Sequence, residues 1–190
     1  KGLSFNTMVQ YTYSKAVANG EYDQAAFGEE YIDTPSQQFL MPYDRPHDLS
    51  VTLYTDELPF GIDASLTGFY QSGLPYTPLL KKGKSYDYDY KNKNTKRSPS
   101  FKQINISLTK SMELKNYHIS MGLNVYNLFD IANALDVYEL TGKVDDPGDY
   151  YTDEIGLPAN GGFLSSGYYD RPWYYSSPRE INFLIQIDYK

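Results

Sequence analysis

The run Arg179–Tyr189 constrains this chain more than any other. Ile181, Phe183, Ile185, Ile187 and Tyr189 fall on one parity, and Glu180, Asn182, Gln186 and Asp188 on the other, with Leu184 the single intruder. A period of two gives a β-strand with one apolar and one wet face. At about eleven residues the strand is roughly twice the usual globular length. It is close to the length with which a tilted strand crosses a bilayer.

The rest of the chain repeats the pattern. Leu3, Phe5, Thr7, Val9, Tyr11 and Tyr13 alternate with Ser4, Asn6, Met8, Gln10, Thr12 and Ser14. A second strand is expected from His47 to Thr55, with Leu49, Val51 and Leu53 on one side, and a third from Ile62 to Gln71. A fourth carries Ile104, Ile106 and Leu108, and a fifth carries Tyr117, Ile119, Met121, Leu123 and Val125. Short turns are expected at Asp56–Gly61 and Met112–Asn116, where Pro, Gly and Asn punctuate the chain. The other connections are long and read as loops. Lys15–Arg45 holds six acids, Ser72–Ser100 is the basic segment with seven Lys or Arg, and Asn127–Pro178 holds nine acids.

Long and short connections thus alternate, which places every long loop at one end and the closing strand's C-terminus at the other. A soluble sandwich has no reason for that asymmetry, whereas a membrane barrel has tight turns on one side and long loops on the other. The polar faces are mostly Ser, Thr, Asn and Gln rather than Lys and Glu, and the apolar faces carry almost no charge. Tyr11, Tyr13, Tyr70, Tyr117 and Tyr189 sit at strand ends on the apolar parity, where an aromatic girdle belongs. Mean hydropathy is −0.57, but alternating strands average their two faces away, so this value does not exclude a membrane. No apolar run is long enough for a helical span. The net charge of −7 argues against nucleic acid as a partner. With no cysteine, neither a disulfide framework nor a thiolate metal site is available.

Several stretches also carry a family likeness. They are Tyr11-Thr12-Tyr13-Ser14-Lys15-Ala16, Tyr43-Asp44-Arg45-Pro46-His47-Asp48-Leu49, Ser72-Gly73-Leu74-Pro75-Tyr76-Thr77-Pro78 and Val125-Tyr126-Asn127-Leu128-Phe129-Asp130. Asp170-Arg171-Pro172-Trp173 and Ser177-Pro178-Arg179-Glu180-Ile181 complete the set. In this order they resemble the C-terminal barrel region of TonB-dependent outer-membrane receptors of Gram-negative bacteria. The resemblance implies an all-β fold, an antiparallel up-and-down transmembrane β-barrel segment of about six strands within a barrel of about twenty-two. It implies that residues 1–190 are the C-terminal portion, with a plug domain and signal peptide upstream. Outer-membrane lipid would surround the strands, and TonB would act through the N-terminal region. The long extracellular loops would bind a scarce nutrient, whether siderophore, vitamin, oligosaccharide or peptide. One departure is Lys190, which follows Tyr189 where family members often end on an aromatic residue. The alternative is an outer-membrane adhesion or structural barrel whose Tyr-rich loops bind a surface partner such as a lipoprotein.

No catalytic or cofactor motif is present, so no enzymatic activity is expected. His47 and His118 have no ligand-like neighbours at short spacing. The densest aromatic patch, Tyr168, Tyr169, Trp173, Tyr174 and Tyr175, is the candidate binding surface. The repeated Asp44-Arg45 and Asp170-Arg171 pairs, each before a proline, are candidates for tying loops onto the rim. Asp145, Asp146 and Asp149, with Asp153 and Glu154, offer oxygens to Ca²⁺, although the run lacks the one-in-two spacing of an EF-hand and a solvated acidic loop is the simpler reading. Attraction between acidic loops and the basic segment Lys81–Arg97 would fold the loops into a cap.

Overall fold

The computed structural model describes residues 4–18, 38–149 and 171–189. Its strands are β1 (Asn6–Tyr13), β2 (Val17–Ala18), β3 (Phe39–Leu40), β4 (His47–Leu58), β5 (Ile62–Gln71) and β6 (Pro75–Tyr76). There follow β7 (Leu79–Lys82), β8 (Ser85–Tyr88), β9 (Lys96–Arg97), β10 (Phe101–Leu114), β11 (Tyr117–Tyr126) and β12 (Glu180–Tyr189). The six long strands form one antiparallel sheet in the order β1-β4-β5-β10-β11-β12. The architecture is all-β, and the sheet is open, with β1 and β12 at its margins.

Register brings the six apolar parities onto a single face. One row runs Thr7, Leu53, Leu66, Ile106, Val125, Ile181, and the next toward the turns runs Thr55, Ala64, Leu108, Leu123, Phe183. A one-residue slip in any pair would turn that strand's apolar set to the polar face, so patterning fixes this register. Two lysines of β10 interrupt the face: Lys102 opposite Tyr70 near the loop end, and Lys110 between Ile62 and Met121. The middle of the other face is a ladder of neutral hydrogen bonds, Thr52 to Thr67 at 3.1 Å, Ser107 to Asn124 at 2.6 Å and Ser111 to Ser120 at 3.0 Å, with carboxylates toward its ends, Asp48 accepting from Gln71 and Glu113 beside His118. Tyr11 and Tyr13 close around His47 at the loop end, and Tyr117 meets Tyr189 edge-on at the turn end with ring centroids 5.4 Å apart.

The strands are staggered. Lys110 is the last residue of β10 to face β5, so Ser111–Leu114 run on past it and pair only with β11. At the opposite end Phe101–Asn105 continue above the last β11 pair, Ile106 with Val125, against β5. Both ends step in the same direction, as in a sheet whose strands are tilted to a common axis.

Three boundaries differ from the sequence expectation. β10 begins at Phe101 and runs to Leu114 because Met112 and Leu114 continue its apolar parity against Ile119 and Tyr117, leaving only Lys115 and Asn116 as the turn. β4 extends to Leu58 through a register shift after Thr55, so the turn shrinks to Pro59-Phe60-Gly61, with Phe60 and Gly61 both at positive φ. The basic segment is not a plain loop. Lys82 with Asp87 at 2.8 Å, and Lys81 5.5 Å from the Tyr86 ring centroid, hold the β7–β8 hairpin around Gly83.

Burial is inverted relative to a water-soluble sheet. Among the described residues the buried hydrophobic side chains are Phe39, Leu79, Val125, Val137, Tyr138 and Val144, and only Val125 belongs to the large sheet. On β12, Ile181, Phe183, Ile185 and Ile187 are 54–65% exposed. The packed core therefore lies among the long connections, and the apolar face keeps much of its exposure, with Thr55 and Val125 its buried positions.

Candidate functional site

The described parts of the long connections meet above one end of the sheet and are stitched together from charged and backbone groups. Asp44 is 1% exposed. Its carboxylate accepts from the Ala16 amide at 2.5 Å and pairs with the Arg97 guanidinium. Burial alone would push this carboxyl up. The Ala16 hydrogen bond, then the hydrogen bond and charge of Arg97 and the charge of Lys15, outweigh it and hold the group below the usual carboxylate range. Arg97 also donates to the carbonyls of Asp44 and Gly73, each at 3.0 Å. Gly73 is there because nothing larger fits: a Cβ would lie 1.7 Å from the Ser98 carbonyl oxygen. Asn94 donates to the Leu40 carbonyl at 2.6 Å, and the Lys93 ammonium sits 4.4 Å from the Phe39 ring centroid.

The third connection joins the second in the same way. The Leu79 amide donates to the Glu139 carbonyl at 3.1 Å, and Lys81 lies 3.9 Å from Asp149. Asn133, 3% exposed, bridges to the Lys102 backbone in both directions, at 2.7 and 2.8 Å. Asn127 closes its own turn by accepting from the Ile131 amide at 2.9 Å. Acidic and basic connections are thus drawn together, as charge attraction predicted, with backbone hydrogen bonds supplying much of the junction.

Two adjoining hollows lie in this crown. One, of about 320 Å³, is lined by Tyr76, Tyr88, Tyr90, Lys93 and Asn94 together with Glu139. The other, of about 270 Å³, is lined by Leu79, Tyr88, Tyr138, Glu139, Arg171 and Tyr174. Tyr88 and Glu139 belong to both. Arg171 lies over the rings of Tyr138 and Tyr174, at 4.8 and 5.0 Å, and donates to the Tyr174 hydroxyl. Burial and then the Glu139 charge push the Tyr76 hydroxyl up, so it is protonated and able to donate at neutral pH.

Of the expected aromatic patch, Tyr174 lines a hollow, Trp173 projects outward at 67% exposure, and Tyr175 makes a backbone bridge to Ala134. Tyr168, Tyr169 and Asp170 lie outside the described residues. Of the residues expected to tie loops onto the rim, Asp44, Arg45 and Arg171 are among the described residues. Asp44 pairs with Arg97 across loops, while Arg45 turns to the Gln71 side-chain oxygen at 2.7 Å. Adjacent residues leave an extended chain in opposite directions, so Asp44 and Arg45 serve separate partners. Asp146 pairs with Lys143 at 2.8 Å and accepts from the Gly148 amide at 3.1 Å; the Lys143 hydrogen bond, then Gly148, lower its carboxyl. Asp145 is exposed and Asp149 faces Lys81. No group of three or more acidic or histidine side chains is gathered for a metal among the described residues. Sequence reading missed Tyr76, Tyr88, Tyr90, Tyr138 and Glu139. The alternation of Tyr86, Tyr88 and Tyr90 was the available signal for a short aromatic strand.

Comparison with protein-family models, with curated proteins and with solved structures returned no match for this chain.

Proposed function

We propose that the sheet is a segment of a transmembrane β-barrel in the outer membrane, and that the crown of loops is the outward face of a TonB-dependent receptor that captures and imports a scarce nutrient. The observation that carries the reading is a largely open apolar face that spans six strands, interrupted by Lys102 and Lys110, while the packed core sits in the loops. Left in water, each large side chain on that face forgoes part of the ~1.5–3 kcal/mol that full burial gives. Lipid supplies the burial without a second layer of protein. Supporting features are the largely neutral polar face, the tyrosines at both margins, the stagger of β10 against its neighbours and the long connections at one end.

The test uses the protein expressed from its whole reading frame in its own host. Sedimentation with outer membranes, with a heat-shifted band on an unboiled gel, and nutrient uptake lost on deleting TonB are expected. Recovery of the protein in the soluble fraction without detergent would overturn the membrane reading, and uptake indifferent to TonB would overturn the transport reading.

A further inference from the structure

We propose that the double hollow centred on Glu139 is a binding site for a neutral oligosaccharide. The inference rests on the receptor reading only in placing the crown outward; the chemistry of the lining is its own. Tyr76, Tyr88, Tyr90, Tyr138 and Tyr174 supply flat apolar surfaces with polar tips, which suit the C–H faces and rim hydroxyls of sugar rings. Glu139 is half-buried where the hollows meet, and its carboxylate has no hydrogen-bond partner among the described residues. Ionised, it is an acceptor only, with room for more than one hydroxyl donor.

The same lining disfavours other ligands. A purely apolar guest would strand the Glu139 carboxylate away from water. An anionic chelate would meet that carboxylate while the nearby cations are already engaged, Lys93 over Phe39 and Arg171 over Tyr138 and Tyr174. A ligand with hydroxyls to donate, apolar ring faces and no net charge meets every group. The two hollows, of about 320 and 270 Å³, together fall within the ordinary range of small-molecule sites.

Binding to the full-length protein is read by isothermal titration calorimetry, which needs no reporter side chain in the site. The detergent-purified full-length protein is titrated with neutral trisaccharides of glucose, mannose and xylose, with a ferric tris-catecholate, and with an uncharged tripeptide. At least one trisaccharide is expected to give a saturable change. Tyr88→Ala and Glu139→Gln should each weaken it at least tenfold, Tyr88→Phe should keep most of it, and Phe60→Ala at the distant turn should leave it unchanged. The proposal falls if no trisaccharide saturates below about 10 mM, if only the chelate or the peptide binds, or if the Tyr88 and Glu139 variants bind like the parent. Sugar binding by a protein that does not enter membranes would sink the receptor reading and leave this site standing. Membrane insertion without sugar binding would do the reverse.

Discussion

Replacing Ile185 by arginine separates a strand that faces lipid from one that faces water. Ile185 lies mid-strand in β12, opposite Met121 on the apolar face, and is 54% exposed. If that face met water, the substitution would forfeit the contacts of a half-covered side chain, at most about 1 kcal/mol. If it meets hydrocarbon, a cation near the bilayer midplane costs about 2–4 kcal/mol. The control is Gln186→Arg, on the opposite parity, where Asp188 at 3.0 Å from the Gln186 amide offers a carboxylate partner. It should move stability by about 0.5 kcal/mol or less. Both variants are made in the full-length protein, refolded into liposomes, and followed by heat-shifted mobility and urea titration. A 3 kcal/mol loss lowers the folded-to-unfolded ratio more than a hundredfold, so Ile185→Arg should leave a clear unfolded band where Gln186→Arg leaves none. Equal tolerance refutes a lipid-facing β12, and greater damage from Gln186→Arg means that the faces are reversed.

Two further outcomes concern the crown. Asp44→Ala removes a buried partner of Arg97 and should undock the first two loops, at a cost near the lower end of the ~3–5 kcal/mol expected for a broken buried pair because Arg97 is partly solvated. Limited proteolysis within 72–100 reads it, and unchanged cleavage rates would show that the pair does not hold the loops. Because the Asp44 carboxyl is lowered in the folded state, its contribution is complete above the unfolded value of about 4 and fades as pH falls through the lower folded value. Proteolysis of the parent should therefore quicken in acid and stay flat between pH 6 and 8. Gly73→Ala places a methyl 1.7 Å from the Ser98 carbonyl oxygen. It should open the neck of the second loop at a cost of about 1–3 kcal/mol or more, and a urea midpoint equal to the parent's would mean that the neck is not closed in solution.

The large sheet was legible because its information is local. Parity within a strand names the face, and requiring one face to stay apolar then fixes pairings such as Leu123 with Phe183 and Leu53 with Leu66 without any knowledge of distance. Boundaries were less legible where polar residues lie inside a strand, as Lys110 and Ser111 do in β10. The crown obeys no period. Glu139 approaches Leu79 and Tyr76, and Asp44 finds Arg97, through contacts spanning 53 to 63 positions. Nothing in the local order of the residues specifies them. The short motif Asp44-Arg45 likewise does not name the partners of its two residues, Arg97 and Gln71, which lie 53 and 26 positions away.

The distribution of burial links these two halves. A sheet with mostly small neutral groups on one face and a largely open apolar layer on the other gains little stability from its own packing in water. The crown is different: it holds Asp44, Asn94, Asn127 and Asn133 nearly out of solvent, each with hydrogen-bond partners, beside Phe39, Val137, Tyr138 and Val144. Buried polar groups of this kind fix geometry, because each loses its full solvation if its partner moves. The hollows around Glu139 are therefore preorganised by the junctions that join the loops, and a ligand entering them meets walls whose ordering has already been offset in folding. It follows that weakening a junction that supplies no lining residue, as Asp44→Ala does, should lower saccharide affinity by loosening the walls while leaving every lining residue intact. Unaltered affinity in a variant whose loops are demonstrably undocked would show that the hollows are organised by the β7–β8 hairpin and the third connection alone.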